Sequence, residues 1–221
     1  MNREDFSPQW GIFSKTQGSL IFKLGPLKNF CYLAGGTALA LYLGHRTSLD
    51  FDFYTSKEFS RSEILDLLKK ISDEKNITIS SLENNNFVGV IDKVNVSIFH
   101  YPYKLLGELV NLRHISLASL EDIAAMKIVA VIQRPAKRDY IDIFYLLKRY
   151  SLERILDWAG KKYPNFNPYL ALRALSFFDD VEDEKIEERG IKILDKNFSW
   201  GKAKKEIFEE VRKYQLSMFK K

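Results

Sequence analysis

LAGGTALALYLGHRTSLDFDFYT, residues 33 to 55, decides how this chain is read. A short apolar strand over 31–34 runs into Gly35-Gly36-Thr37. A helix over 36–43 follows, then the polar turn His45-Arg46-Thr47-Ser48, then a strand over 49–54 that carries Asp50 and Asp52 on either side of Phe51. Side chains alternate faces along a strand, so the two carboxylates point the same way, roughly 6–7 Å apart. Glycine permits close backbone approach, and the first turn of a helix offers N–H groups and a positive dipole end to an anion. Hard cations such as Mg²⁺ bind through one or two carboxylates plus substrate phosphates. Either half alone is ordinary, since glycine pairs usually mark turns and acidic pairs are common on solvated strand faces. Joined by one short helix and a turn, the two halves describe a phosphate cradle beside a divalent-metal site, which suits a nucleoside triphosphate.

The segment GGTALALYLGHRTSLDFDFYT resembles the signature of the AbiEii-type nucleotidyltransferases. These are toxin components of bacterial abortive-infection and toxin–antitoxin systems, within the polymerase-beta-like nucleotidyltransferase superfamily. A second block, LEDIAAMKIVAVIQRPAKRDYIDIFYLL at 120–147, is similar to the family's helix with an inward lysine, followed by an Arg and a Lys/Arg-Asp-x-x-Asp helix. The resemblance covers roughly residues 30–150. It implies transfer of a nucleoside monophosphate from an NTP to an acceptor hydroxyl, at a tRNA 3′ end or on a protein, with Mg²⁺ or Mn²⁺ as cofactor and an antitoxin protein encoded alongside. On this reading Asp50 and Asp52 hold the metal, and Gly35, Gly36 and Thr37 cradle the β- and γ-phosphates. Arg46 and Ser48 support the turn or touch phosphate.

Placed on a helix at about 100° per residue, Leu120, Ile123, Ala124, Lys127, Ala130, Val131 and Arg134 share one face. A lysine inside an apolar stripe is either snorkelling or salt-bridged, or, beside a nucleotide site, a triphosphate contact. Asp139 and Asp142 are three apart and share a face of the next helix. Arg138 could pair with Asp142 along that helix surface. The resemblance implies instead that Lys127 and the downstream aspartate belong to the active site, with Asp142 the first choice and Asp139 the second. The catalytic set is then Asp50, Asp52, Lys127 and Asp142.

One departure stands out. Superfamily members usually carry a third carboxylate on a neighbouring strand. The matching strand here, Val94 to Phe99, turns Val94, Val96 and Ile98 to one side and Asn95, Ser97 and Phe99 to the other. The acid is expected near Ser97 and none is there, while Asp92 falls in a turn, where aspartate is ordinary. Two rival readings follow: a degenerate nucleotide-binding sensor or adaptor, and a basic RNA-binding module whose glycines and aspartates are structural.

Composition agrees with a globular chain: 221 residues, 46% hydrophobic and 29% charged. There is no apolar run of 18 residues and no apolar signal core near the N-terminus, so no membrane association is expected and the cytoplasm is the expected location. The single cysteine, Cys31, fits a reducing compartment and reads as a small buried hydrophobe. Scattered histidines with one cysteine do not make a zinc site. The net charge of +5 and pI near 9.1 favour acidic partners. Lys202, Lys204, Lys205, Arg212, Lys213, Lys220 and Lys221 carry much of the excess, either as a solvated helix face or as a groove for an RNA acceptor.

The remaining pattern predicts an α/β (α+β) chain: a small mixed-sheet nucleotidyltransferase core over 1–105, then a helical domain over 106–221, with substrate held between them. A helix over 14–30 breaks at Gly25-Pro26. Ser60-x-x-Glu63 is a capping box. Strands follow at Ile77–Leu82, Phe87–Ile91 and Val94–His100, with Asp92-Lys93 as a hairpin turn lacking the usual glycine. After Pro102 the pattern is helical throughout: one helix from Ser119-x-x-Asp122 to Gln133, stopped by Pro135, then 137–149, one from Ser151, and 168–178, 183–195 and 201–219, with a loop over 160–168.

Overall fold

The computed structural model describes residues 6–218. Two compact units are present, one ending at Ser119 and one beginning at Leu120.

In the first unit, helix α1 (Lys15–Ile21) begins at a capping box in which Ser14 and Gln17 bond reciprocally. Strand β1 (Tyr32–Leu33) leads into α2 (Gly35–Leu43) and β2 (Phe51–Thr55). Helix α3 (Arg61–Lys69) starts at the predicted Ser60–Glu63 capping box, both halves of which form. Then come β3 (Ile77–Glu83), β4 (Asn86–Ile91), β5 (Val94–His100), β6 (Val110–Asn111) and β7 (Ser116–Leu117). The seven strands form one mixed sheet in the order β3-β4-β5-β2-β1-β7-β6. β2 runs parallel to β5 and antiparallel to β1, and β1 runs parallel to β7.

Alternation sets the sheet's faces. Phe51, Phe53 and Thr55 are buried while Asp52 and Tyr54 are half-buried; Val94, Val96 and Ile98 are buried while Asn95, Ser97 and Phe99 are more open. The β3–β4 and β4–β5 hairpins turn through two left-handed residues each, Asn84-Asn85 and Asp92-Lys93. That is the turn geometry whose twist matches the flanking strands. Aspartate tolerates the left-handed conformation better than most residues, and here the Asp92 carboxylate accepts from two residues distant in sequence, the Ser72 hydroxyl at 2.5 Å and the Lys23 ammonium at 2.6 Å. Cys31 is buried, and burial pushes its thiol well above the ordinary value, which keeps it protonated and unreactive.

The second unit holds α4 (Leu120–Gln133), α5 (Lys137–Leu147), α6 (Leu152–Lys162), α7 (Pro168–Leu175) and α8 (Trp200–Met218). Ser151 caps α6 by accepting from the Arg154 N–H, and Pro168 opens α7 at the first helical position, where its missing N–H costs nothing.

Two expectations change. The segment after Pro102 is not helical throughout: β6 and β7 extend the sheet beside β1. Each is two residues long, too short to show a period. The helix expected over 183–195 is absent. Ile186 and Ile191 are buried against Ile141, but five residues apart they do not share a helix face, and Gly190 sits at φ 77°. The lysines of α8 stand beside carboxylates, as on a solvated helix face. Lys202 pairs with Glu206 (3.8 Å), Lys204 with Glu182 (2.7 Å), Lys205 with Glu209 (3.9 Å) and Lys213 with Glu210 (3.3 Å). Lys220 and Lys221, and the last residue of the expected 201–219 helix, lie outside the described residues. Among the described residues no helix is long and apolar enough to cross a membrane.

Candidate active site

The turn between β1 and α2 is built around glycine. Gly35 has φ +64°, a conformation that strains any L side chain, and a Cβ there would lie 3.5 Å from Asp52 Oδ2. The Asp52 carboxylate therefore stands beside the N-terminal end of α2. The cap residue, Ala34, has no side-chain acceptor, so the first-turn N–H groups receive no side-chain cap. A helix end of this kind attracts anions. The main chain of β2 is tied to it, since the Ala34 N–H donates to the Asp52 carbonyl at 3.1 Å.

Below this turn the polar residues brace one another. Thr37 Oγ1 lies 2.7 Å from Ser48 Oγ and also within hydrogen-bond reach of the Asp50 carbonyl oxygen. Gln17 Nε2 donates to the Ser48 carbonyl at 2.7 Å, so α1 clamps the same turn. Thr37, Ser48 and Gln17 are all buried. Their hydroxyl and amide groups fix the path from α2 into β2, which sets where Asp50 and Asp52 stand.

Arg46 is 1% exposed and donates to the Thr47 carbonyl at 3.0 Å. Its guanidinium fills the space that a side chain on residue 36 would need: a Cβ on Gly36 would lie 2.4 Å from Arg46 Nη2. Gly36→Ala is accordingly expected to push a buried guanidinium aside and lower stability by about 1–3 kcal/mol, as overpacking does. Gly18→Ala, on a helix position with nothing within 4 Å, is the control and should be neutral or stabilising. Urea denaturation of both variants checks this.

On the open side of the sheet, β5 lies parallel to β2 with Asp52 opposite Ser97. Two residues earlier on each strand path, Asn95 Nδ2 donates to Asp50 Oδ1 at 2.9 Å. Asp50, Asp52, Asn95 and Ser97 thus form one polar row. No cluster of three or more His, Cys, Asp or Glu side chains among the described residues is arranged to hold a metal ion. A carboxylate pair is nonetheless a sufficient protein share for Mg²⁺, which takes its other ligands from phosphates and water.

In the helical unit, Lys127 is buried on α4 and its Nζ lies 2.7 Å from Asp139 Oδ1 and 2.6 Å from Asp142 Oδ2 on α5. Both carboxylates are buried; Arg134, mostly exposed, approaches Asp139 at 3.9 Å. The inward lysine is therefore salt-bridged, and to both downstream aspartates at once. Asp142 does not depend on Arg138. A second buried pair, Lys162 to Asp122 at 2.6 Å, joins α6 to α4. The sequence reading did not find it, nor Asn95 and Gln17. Each pairs with a residue far away along the chain, and only the two capping boxes left local traces.

A family profile described as "Nucleotidyl transferase AbiEii toxin, Type IV TA system" matches residues 20–213. An uncharacterised protein of Aquifex aeolicus (strain VF5), aq_aa25, is 34% identical over 174 residues, which span 76% of this chain and 82% of that protein. Among solved structures, JHP933 from Helicobacter pylori superposes with a TM-score of 0.62 at 18% identity, covering 97% of this chain and 100% of its own. MenT4, the nucleotidyltransferase toxin Rv2826c from Mycobacterium tuberculosis H37Rv, gives 0.55 at 12% identity, covering 89% and 81%. These structural likenesses show a shared fold, while the profile match over most of the chain shows the family. This chain belongs to the AbiEii nucleotidyl transferase toxin family.

Proposed function

We propose that this chain moves a nucleoside monophosphate from an NTP to a hydroxyl at an RNA 3′ end, most simply that of a tRNA, and that Asp50 and Asp52 are the ligands of the divalent metal. The observation that carries this is the polar row of Asp50, Asp52, Asn95 and Ser97 beside the uncapped end of α2, where a Cβ on Gly35 would fall 3.5 Å from the Asp52 carboxylate. The acceptor oxygen attacks the α-phosphorus and forms a P–O bond. The α–β phosphoanhydride breaks, pyrophosphate leaves, and the hydroxyl proton passes to solvent. When bound, Mg²⁺ or Mn²⁺ supplies polarisation of the phosphoryl oxygens. The first-turn N–H groups of α2 bind phosphate, and Arg46, Thr37 and Ser48 hold that turn in shape. An ammonium has three N–H donors; Asp139 and Asp142 orient Lys127, and its remaining donor is proposed for a phosphoryl oxygen. The net charge of +5 supports an RNA acceptor, and family membership supports an antitoxin partner.

The test supplies each α-labelled NTP in turn, with Mg²⁺ or Mn²⁺, total RNA and cell lysate. Label is expected on RNA, with matching pyrophosphate release that EDTA abolishes. Transfer should fall steeply from low to moderate salt, because phosphate contacts release counterions. Label confined to protein in the presence of intact tRNA would reject the RNA acceptor. The neutrality of Asn95 and Ser97 favours one second reading, an adaptor that binds nucleotide without turnover. NTP binding without pyrophosphate release would select it.

A further inference from the structure

β5 presents two neutral side chains to Asp52 on β2 and to Asp50 just before it. Ser97 is level with Asp52, and Asn95 donates to Asp50. An amide hydrogen bond to a carboxylate is charge-assisted and fixes which oxygen faces outward. It also leaves the charge of the row at the value set by Asp50 and Asp52 alone, two negative charges against one divalent cation. The contact is specific to this position: Asn95 is an exposed residue with its amide turned onto Asp50, while its strand neighbours Val94 and Val96 are buried on the opposite face.

Resting on the reading of Asp50 and Asp52 as metal ligands, we propose that Asn95 is a positioning residue of the transfer site. It holds the Asp50 carboxylate in place with a neutral donor and limits the protein's own share of the site to one divalent ion. A further cation enters only with the charge of the nucleotide phosphates. Asn95 acts through Asp50 and does not itself touch the reacting atoms.

The experiment uses the full chain without nucleotide and titrates it with Mn²⁺, following free Mn²⁺ by electron paramagnetic resonance and stability by thermal melting. Wild type should bind one Mn²⁺. Asn95→Asp sets a third carboxylate against Asp50. Its melting temperature in EDTA should drop below wild type through like-charge repulsion, and Mn²⁺ should restore it, with affinity raised about tenfold or more. Asn95→Ala should lower kcat by about tenfold while leaving the KM for NTP near wild type, the signature of a misplaced ligand rather than a lost nucleotide contact. Asn95→Asp with wild-type Mn²⁺ affinity and number, or two ions on the wild-type protein, would overturn the proposal and leave the metal assignment standing. Mn²⁺ binding that is identical in wild type and Asp52→Asn would instead overturn that assignment, and this proposal with it.

Discussion

Asp52→Asn is expected to cut nucleotidyl transfer by about three orders of magnitude or more, because on the proposed reading it removes a metal-ligand charge from the site where negative phosphoryl oxygens must be neutralised. The fold should survive. Asparagine keeps the shape of aspartate, and Asp52 stands on the half-buried face of β2, between Phe51 and Phe53, whose rings carry the packing on the other side. Substitutions of that kind usually stay within about 0.5 kcal/mol. Pyrophosphate release and thermal melting, run on the same preparation, separate the two effects. Retention of more than about 1% of wild-type transfer, a loss of under 3 kcal/mol in transition-state stabilisation, would mean that Asp52 is not a metal ligand.

Lys127→Ala is expected to act on stability first. Its ammonium is the near counter-ion for Asp139 and Asp142, both essentially inaccessible. Taking one partner from a buried ion pair leaves charge uncompensated and typically costs about 3–5 kcal/mol. Here one lysine serves two carboxylates, and Arg134 is too distant and too exposed to replace it. A sequence reading that sees only a lysine in an apolar stripe predicts the opposite, a loss of nucleotide use with little loss of stability. Urea denaturation decides between them: a change below about 1 kcal/mol would show that the triad contributes little to the fold. The triple replacement Lys127→Met, Asp139→Asn, Asp142→Asn should recover much of the loss, since replacing a whole buried charge cluster is far less costly than breaking it. If Lys127 also contacts the triphosphate, the recovered variant remains poor in NTP binding. That measurement isolates the role in binding from the role in folding.

Much of the candidate site could be read along the chain because it is local. Gly35 and Gly36, α2, the Thr37–Ser48 turn and the Asp50/Asp52 pair all fall within residues 33–55, and strand alternation alone puts the two aspartates on one face. The Ser60 capping box, the hairpin at Asp92-Lys93 and strand β5 were legible for the same reason, since each is specified by neighbours a few residues away. The buried face of α4 was visible from its spacing, including the inward position of Lys127.

What escaped was long-range or too short for a period. Asn95 meets Asp50 across 45 residues, Lys162 meets Asp122 across 40, and Gln17 meets Ser48 across 31. β7 is a strand because β1 offers it a ladder partner and β6 because β7 does, and residues 183–195 follow the shape of the cluster around Ile141 rather than a helical repeat. Periodicity, caps and turns determine which elements form and which way their side chains face. Which partner then meets each polar group is settled by the strand register and the packing of α4, α5 and α6. A buried charge such as that of Lys127 is stable only once its carboxylates are brought to it, and a local pattern carries no record of that meeting.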